Sequence, residues 1–585
     1  MPIDFLTSAI RETDHRGADD LLTAGLGIDG LRGPPAAFAD AAAPTPTQLR
    51  RRAIQASWKG IADLGPLGAW GELYGSTANV PGREYQAFAR IAGAHSPHRI
   101  LVQIPDGFDA KARCLVVTAS SGSRGIYGAI ALAGAWGLPR GCAVAYTDKG
   151  TGTGYFDSAS ATGVALDCTR SPAGAGGLEF EPRAQVASDG IGVKHAHSGD
   201  NPEADWGRHV LQAAAFGLAM LDRAFPQRAP FTPQNTRIIA AGLSNGGGAV
   251  LQAAGIDQGE MLSGVVAIEP HVHAPAAKDS RPLYDFSTEA ALFLPCALAD
   301  SRFDATPLAR IQGKVAPAWT ARGVGLHAAG LLRAVDERVQ SAEAVDHLHA
   351  GGWTDAALAA AASSTAFDLW RALAVSYASA YSRAALGRMP CGYRFDAHDA
   401  AGRPYTPAAA ERAAWWSDAA GIAPGAGVFI GETVSADATD PTLRGLLCLR
   451  QLWTGDDAMA KTVRASVAAA AAQLPRKELP IWVIHGQEDG LLPMAFTSTP
   501  YIDWLRANGR EPLFWPIAHA QHFDAFLAMP GFGDRYVPML PYAYAALDRM
   551  WSHLVEATAL DAGTVPAASP RGAGKLDATH LGLRK

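Results

Sequence analysis

No apolar run in this chain reaches the ~18 residues that a membrane-spanning helix needs, so no membrane partner is expected. Cysteine is scarce and scattered. Its six positions (114, 142, 168, 296, 391 and 448) contain no C-x-x-C spacing, which removes the usual signatures of zinc and dithiol redox sites. Cys114 and Cys142 lie in apolar, strand-like runs and read as buried thiols, with one disulfide as the alternative. Charge is low as well, at 18% of residues and a net −6, with no basic block to attract nucleic acid or an anionic surface. Residues 1–20 lack a basic leader followed by an apolar core. No internal repeat is evident.

What is plentiful is apolar residue, 48% of 585, which is globular composition. That length exceeds the needs of one core and predicts either two domains or one domain with a large insertion. Residues 1–85 read as an irregular N-terminal arm, "GPPAAFADAAAPTPTQ", followed by a short helix from Leu49 to Leu64 and packed on the core. Over 86–275, apolar strands such as "HRILVQIP", "RCLVVTAS", "GCAVAYT" and "RIIAA" alternate with helical segments, one of them from Trp206 to Phe225. This rhythm predicts an α/β fold with a mainly parallel sheet covered on both faces. It stops over 276–475, an Ala-rich, mostly helical stretch without clear strands, and resumes over 476–560 with "LPIWVIHGQEDGLLP" and "EPLFWPIAHAQHFDAF", leaving a tail at 561–585. The interruption is most simply a cap over the C-terminal edge of the sheet, where such folds place their sites. The cap's tryptophans, Trp353, Trp370, Trp415 and Trp416 among them, read mainly as packing.

The chemistry concentrates in "RIIAAGLSNGGGAVLQAAG". Gly242-Leu243-Ser244-Asn245-Gly246 fits the G-x-S-x-G nucleophile elbow, and here it follows a strand and opens a helix. Side chains at positions 242 and 246 would collide with neighbouring backbone, while Gly247 and Gly248 let the next helix pack against the strand. The helix N-terminus favours negative charge beside Ser244. A serine needs a base, and the base needs an acid to hold its tautomer. Asp489, just past the strand "IWVIHG", is the expected acid, with Glu269 at the end of "GVVAIE" as its competitor. His522 is the expected base, and His519 is read as a loop residue contacting substrate. The chain order Ser, Asp, His is that of the α/β-hydrolases. The oxyanion hole is expected from the Asn245 N–H and the Ser121 N–H, the latter on the loop after "LVVTA". Arg124 on the same loop reads either as a receptor for a substrate carboxylate or as a solvated loop residue.

Two further signals carry less. "DKGTGTGY" resembles a phosphate loop but lacks the Gly-Lys-Ser/Thr ending and the third glycine of a dinucleotide fingerprint, so it reads as a loop near the site. The His-x-His pairs in "KHAHSGDNPE" and "EPHVH" make a metal-dependent hydrolase the runner-up mechanism, without an accompanying H-E-x-x-H.

Taken in order, "DDLLTAGLG", "SSGSRGIYGAIA", "GCAVAYTDKGTG", "KHAHS", "GLSNGGGA", "VIHG", "DGL" and "AQHFDAFL" resemble the D-(−)-3-hydroxybutyrate oligomer hydrolases, from near the N-terminus to beyond residue 540. The resemblance implies a serine esterase that cuts soluble 3-hydroxybutyrate oligomers to monomer, downstream of a polyhydroxybutyrate depolymerase, with Ser244 as nucleophile. The mechanism expected from these residues needs no cofactor and no metal. The resemblance also implies a secreted protein whose leader is absent from this chain, a cytoplasmic one being the alternative. A carboxylesterase for aryl or feruloyl esters would share the catalytic residues, and a non-catalytic binding member of the fold would normally lose one of them. Past Ala557 too few residues remain for a surface-binding module, so soluble oligomers rather than crystalline polymer are the expected substrate.

Overall fold

The computed structural model describes residues 3–183, 190–397, 403, 405–418, 428–433 and 439–583. Its frame is a nine-stranded sheet built from β1 (Arg11–His15), β2 (Gly82–Ala89), β3 (His98–Pro105), β4 (Cys114–Ala119), β5 (Ala143–Thr147), β6 (Arg237–Leu243), β7 (Gly264–Ile268), β8 (Ile481–Gly486) and β9 (Leu513–Ile517). The spatial order is β1-β2-β3-β5-β4-β6-β7-β8-β9. The strands from β5 through β4 to β9 run parallel, and the β1 to β3 edge is antiparallel. The parallel strands are near-continuous apolar runs because helices cover both faces. Alternate residues go to opposite sides: Val116, Ile239, Val266 and Ile484 join one core, Val117, Ile238, Val265 and Val483 the other.

The covering helices start where local chemistry favours them. Helix α1 (Pro46–Ile61) opens on a Thr45–Gln48 capping box with proline at its first position. Helix α2 (Pro202–Ala224) is capped by the Asn201 side chain, which accepts from the Ala204 N–H, and packs against β3, β4 and β5. Helix α3 (Asn245–Ile256) follows β6 directly. Between β7 and β8 the chain builds its third core, in which α4 (Leu283–Ala297) and α5 (Leu369–Tyr381) pack with further helices around Phe286, Trp353 and Trp370. Leu491, Leu492 and Phe496, on the segment after β8, belong to this same core, so the cap is anchored beside Asp489.

Three details depart from the sequence reading. The N-terminal arm contributes an edge strand, β1, paired to β2, and buries Leu21 and Leu22 at 0% exposure. The insertion is not strandless, since Tyr393–Asp396 pairs with Phe429–Glu432 as an antiparallel ribbon. The cysteines are not all thiols: Cys114 pairs with Cys142 and Cys391 with Cys448, while Cys168 and Cys296 are buried and free. The first bridge joins the start of β4 to the residue before β5, and adjacent parallel strands bring those two ends together.

Candidate active site

At the end of β6 the backbone turns abruptly into α3 through Ser244, whose φ of 58° and ψ of −125° lie in a region a non-glycine residue enters only under constraint. The constraint comes from close packing. A Cβ at Gly242 would sit 2.2 Å from the Gly246 carbonyl oxygen, and one at Gly246 would sit 2.4 Å from that of Ala119, so the turn closes only with glycine at both positions. The Ser244 N–H donates to Ile268, and its carbonyl accepts from Gly248 and His271. The serine backbone is thus held by the end of β7 and by the first turn of α3.

The three expected partners meet there. The Ser244 hydroxyl donates to His522 Nε2 at 2.9 Å, and His522 Nδ1 donates to Asp489 Oδ2 at 2.7 Å. Asp489 is 1% exposed and fully engaged: its Oδ1 accepts the N–H groups of Leu491 and Leu492, and its Oδ2 also receives His485 Nε2 at 3.2 Å. Burial alone would raise this carboxyl, but the adjoining His522 and His485 hold it well below the usual carboxylate range. Glu269 lies near the same histidine with Oε2 at 3.7 Å from Nδ1, beyond hydrogen-bond reach. Burial first, and then the Asp489 charge, push the Glu269 carboxyl well above its usual range.

Ser121 and Asn245 face each other across the serine. The Ser121 loop approaches so closely that a Cβ at Gly122 would lie 3.1 Å from Asn245 Cβ. The Asn245 N–H, at the first position of α3, has no intrahelical acceptor. Among the described residues the Ser121 N–H makes no backbone hydrogen bond, whereas Ser120 N–H is spent on Thr147. Ser121, Ser244, Asn245, Glu269 and His522 open into one cavity of about 800 Å³, lined also by residues of the insertion including Leu373 and Tyr377. The N-terminal arm, to which the sequence reading gave no chemistry, supplies Lys59, Gly60 and Ile61 to its wall. Arg124 also lines the cavity and is not the solvated loop residue of the alternative reading. His519 does not join them. It lies away from the cavity with φ 55°, its Nδ1 3.5 Å from Glu488, which corrects the expectation of a substrate contact.

The sequence reading missed a buried polar cluster behind the elbow. Asn245 Nδ2 donates to Glu203 Oε2 at 3.1 Å and to His271 Nδ1 at 2.8 Å, and lies 3.4 Å from the Tyr377 hydroxyl. Glu203 in turn takes Lys149 and receives His195 Nε2 at 2.8 Å. Lys149 of the "DKGTG" loop and the first histidine of each His-x-His pair, His195 and His271, thereby support the residue after Ser244. His197 Nδ1 accepts the Val193 N–H, and His273 Nδ1 meets the Ser280 hydroxyl at 3.0 Å, so the second histidine of each pair bonds outside this cluster. Among the described residues the one acid–histidine group close enough to share a cation is Glu269, Asp489 and His522 itself. Glu203, 1% exposed, is held well below the carboxylate range: burial opposes ionisation, and Lys149 and His195 overcome it. Glu203→Gln strands the buried Lys149 ammonium and is expected to cost about 3–5 kcal/mol of stability. Urea unfolding measures this, and an unchanged midpoint would show that the cluster contributes little.

Sheet order, a serine on a constrained strand-to-helix turn, and an aspartate and a histidine arriving later in that chain order define an α/β-hydrolase. The chain belongs to the 3HB-oligomer hydrolase family, whose sequence model it matches over residues 2–583. It is similar to the D-(−)-3-hydroxybutyrate oligomer hydrolase of Paracidovorax citrulli, with 36% identity, covering 96% of this chain and 89% of that one. It is 34% identical to the protein of the same name from Cupriavidus metallidurans, over 98% of this chain and 87% of that one. Among solved structures, the rice cell wall degrading esterase LipA from Xanthomonas oryzae aligns at 11% identity with a TM-score of 0.39, covering 80% of this chain and 90% of that one.

Proposed function

We propose that this chain is a serine carboxylesterase that hydrolyses soluble D-3-hydroxybutyrate oligomers to monomer, acting after a polymer depolymerase. The continuous hydrogen-bonded line Ser244–His522–Asp489, opening into a cavity of about 800 Å³, carries this reading. Ser244 attacks the ester carbonyl while His522 takes its proton, and Asp489 stabilises the imidazolium that forms. The N–H groups of Asn245 and Ser121 receive the developing oxyanion. His522 then returns the proton to the alcohol fragment, which leaves, and activates a water that hydrolyses the acyl-enzyme. The substrate class is supported by the family to which the chain belongs and by the cavity's form. Branched, apolar walls such as Leu283, Leu369 and Leu373 suit the methyl-bearing repeat of the oligoester. Secretion is supported by the two disulfides, which form and persist in oxidising compartments.

The cap leaves Ser244 only 9% exposed, so a chain end can enter and a flat crystalline face cannot. Monomer release from 3-hydroxybutyrate trimer is expected to exceed release from crystalline film by about two orders of magnitude or more at equal enzyme, a differential of roughly 3 kcal/mol in transition-state access. Comparable rates on both would overturn the assignment to oligomers. Rapid turnover of aryl esters with no turnover of trimer would move the protein to another carboxylesterase class.

A further inference from the structure

Arg124, which is half-buried, differs from the buried arginines of the chain. Arg50 pairs with Glu84 at 2.7 Å, Arg99 with Glu179 at 2.9 Å, and Arg322 with Asp440 at 2.5 Å. Among the described residues no carboxylate comes within ion-pair distance of Arg124; its Nε is buried without a partner, and Nη1 reaches the Ala56 carbonyl only at 3.4 Å. Its position is nonetheless built. A Cβ at residue 60 would lie 1.9 Å from Arg124 Cζ, so the guanidinium occupies the space that Gly60 leaves open at the end of α1. The cavity that Arg124 lines is the one that holds Ser244, and its backbone N–H closes the turn that carries Ser121 by donating to the Ser121 carbonyl at 3.1 Å.

A guanidinium held partly out of water without an anion carries a desolvation cost, which an arriving carboxylate offsets through charge-assisted hydrogen bonds. Burial alone, with no acid opposing it, pulls the Arg124 guanidinium down to about 10, so it remains a cation at neutral pH. The acids on the same wall do not compete for it. Burial and the Asp489 charge oppose ionisation of Glu269, Asp368 is paired with Arg371, and Asp524 accepts the N–H groups of Met539 and Leu540. The substrate class proposed above carries one fixed anion, the terminal carboxylate of the oligomer, at one end only.

We propose that Arg124 receives the terminal carboxylate of the oligoester and thereby selects free acids over neutral esters and sets which end of the chain enters the cavity. Arg124 is a binding and orienting residue in this assignment and takes no part in proton transfer. The assignment rests on the oligomer reading, and the test separates the two. Ser244→Ala protein, which binds without turnover, is titrated by calorimetry with 3-hydroxybutyrate trimer as free acid and as methyl ester, and the titrations are repeated with Ser244→Ala/Arg124→Gln and Ser244→Ala/Arg124→Lys. The free acid is expected to bind at least tenfold more tightly than the methyl ester. That preference should vanish with glutamine and survive in part with lysine, which keeps the charge but loses the bidentate fork. Because the acid-to-ester ratio is taken within each protein, a general disturbance of the loop cancels. Equal binding of acid and ester by Ser244→Ala, or a preference that persists undiminished with glutamine, would overturn the role of Arg124 while leaving the oligomer reading standing. Binding of neither ligand would overturn both.

Discussion

Ser244→Ala and His522→Ala are each expected to lower turnover of a 3-hydroxybutyrate trimer by roughly three or more orders of magnitude, about 4 kcal/mol or more in barrier, with folding intact. The magnitude follows from the way the site is assembled. Ser244 is already hydrogen-bonded to His522 at 2.9 Å in the resting protein, so no reorganisation precedes proton transfer, and losing either partner forfeits the whole step. Folding survives because the turn is shaped by the glycines at 242 and 246 and by backbone bonds to Ile268 and His271, none of which uses the serine hydroxyl. The two losses should not add in the double variant, since the pair works as a unit. Initial rates, with circular dichroism of each variant, provide the check. An active Ser244→Ala protein would remove the nucleophile from this account.

The second large effect separates two carboxyl groups that flank one imidazole. Asp489→Asn is expected to lower kcat by about three to four orders of magnitude, because an amide at that position presents a donor or a weak acceptor to Nδ1 and favours the wrong tautomer of His522. Glu269→Gln is expected to cost less than about tenfold. Glu269 lies 3.7 Å from the same nitrogen, beyond hydrogen-bond reach, and burial and the Asp489 charge push its carboxyl well above its usual range. Its Oε1 has no hydrogen-bond partner among the described residues, so it does not hold the histidine in place. Steady-state kinetics of the two variants in parallel decides the matter, and the reverse order of effects would transfer the orienting role to the strand β7 carboxyl.

The parts of this molecule that could be read from the sequence are those governed by local geometry. A serine between glycines at the end of a β-branched run announces itself, because the turn tolerates no side chains two residues to either side of it and the strand must be apolar on both faces. Apolar runs broken by Pro, Gly and Asp marked the parallel strands for the same reason. What remained hidden depends on pairings across long separations. Glu203 reads as an ordinary first-turn helix glutamate until the fold brings Lys149, 54 residues away, and Tyr377 of the cap beside the same cluster. The strand Arg11–His15, "RETDH", carries no apolar alternation because it lies at the edge of the sheet, where only one neighbour must be satisfied. The ribbon in the cap is four residues a side, below the length at which periodicity is informative. The cysteine pairs, 28 and 57 residues apart, have no spacing signature, and Cys114 looked like a core thiol because its strand is a core strand. His519 and His522 are separated by two residues in one loop, and only the path of that loop sends one toward Ser244 and the other toward Glu488.

Acylation of Ser244 by hydroxybutyrate oligomers is addressed directly by acid-quenched mass spectrometry. Protein mixed with excess 3-hydroxybutyrate trimer is quenched on the millisecond scale, digested and mapped. The account predicts a mass increment of one or more hydroxybutyryl units on the peptide containing Ser244, formed in a burst and lost on chasing, and absent from Ser244→Ala. A hydroxybutyryl adduct on any other residue, or steady release of monomer without any adduct under conditions where an organophosphate leaves activity intact, would contradict it.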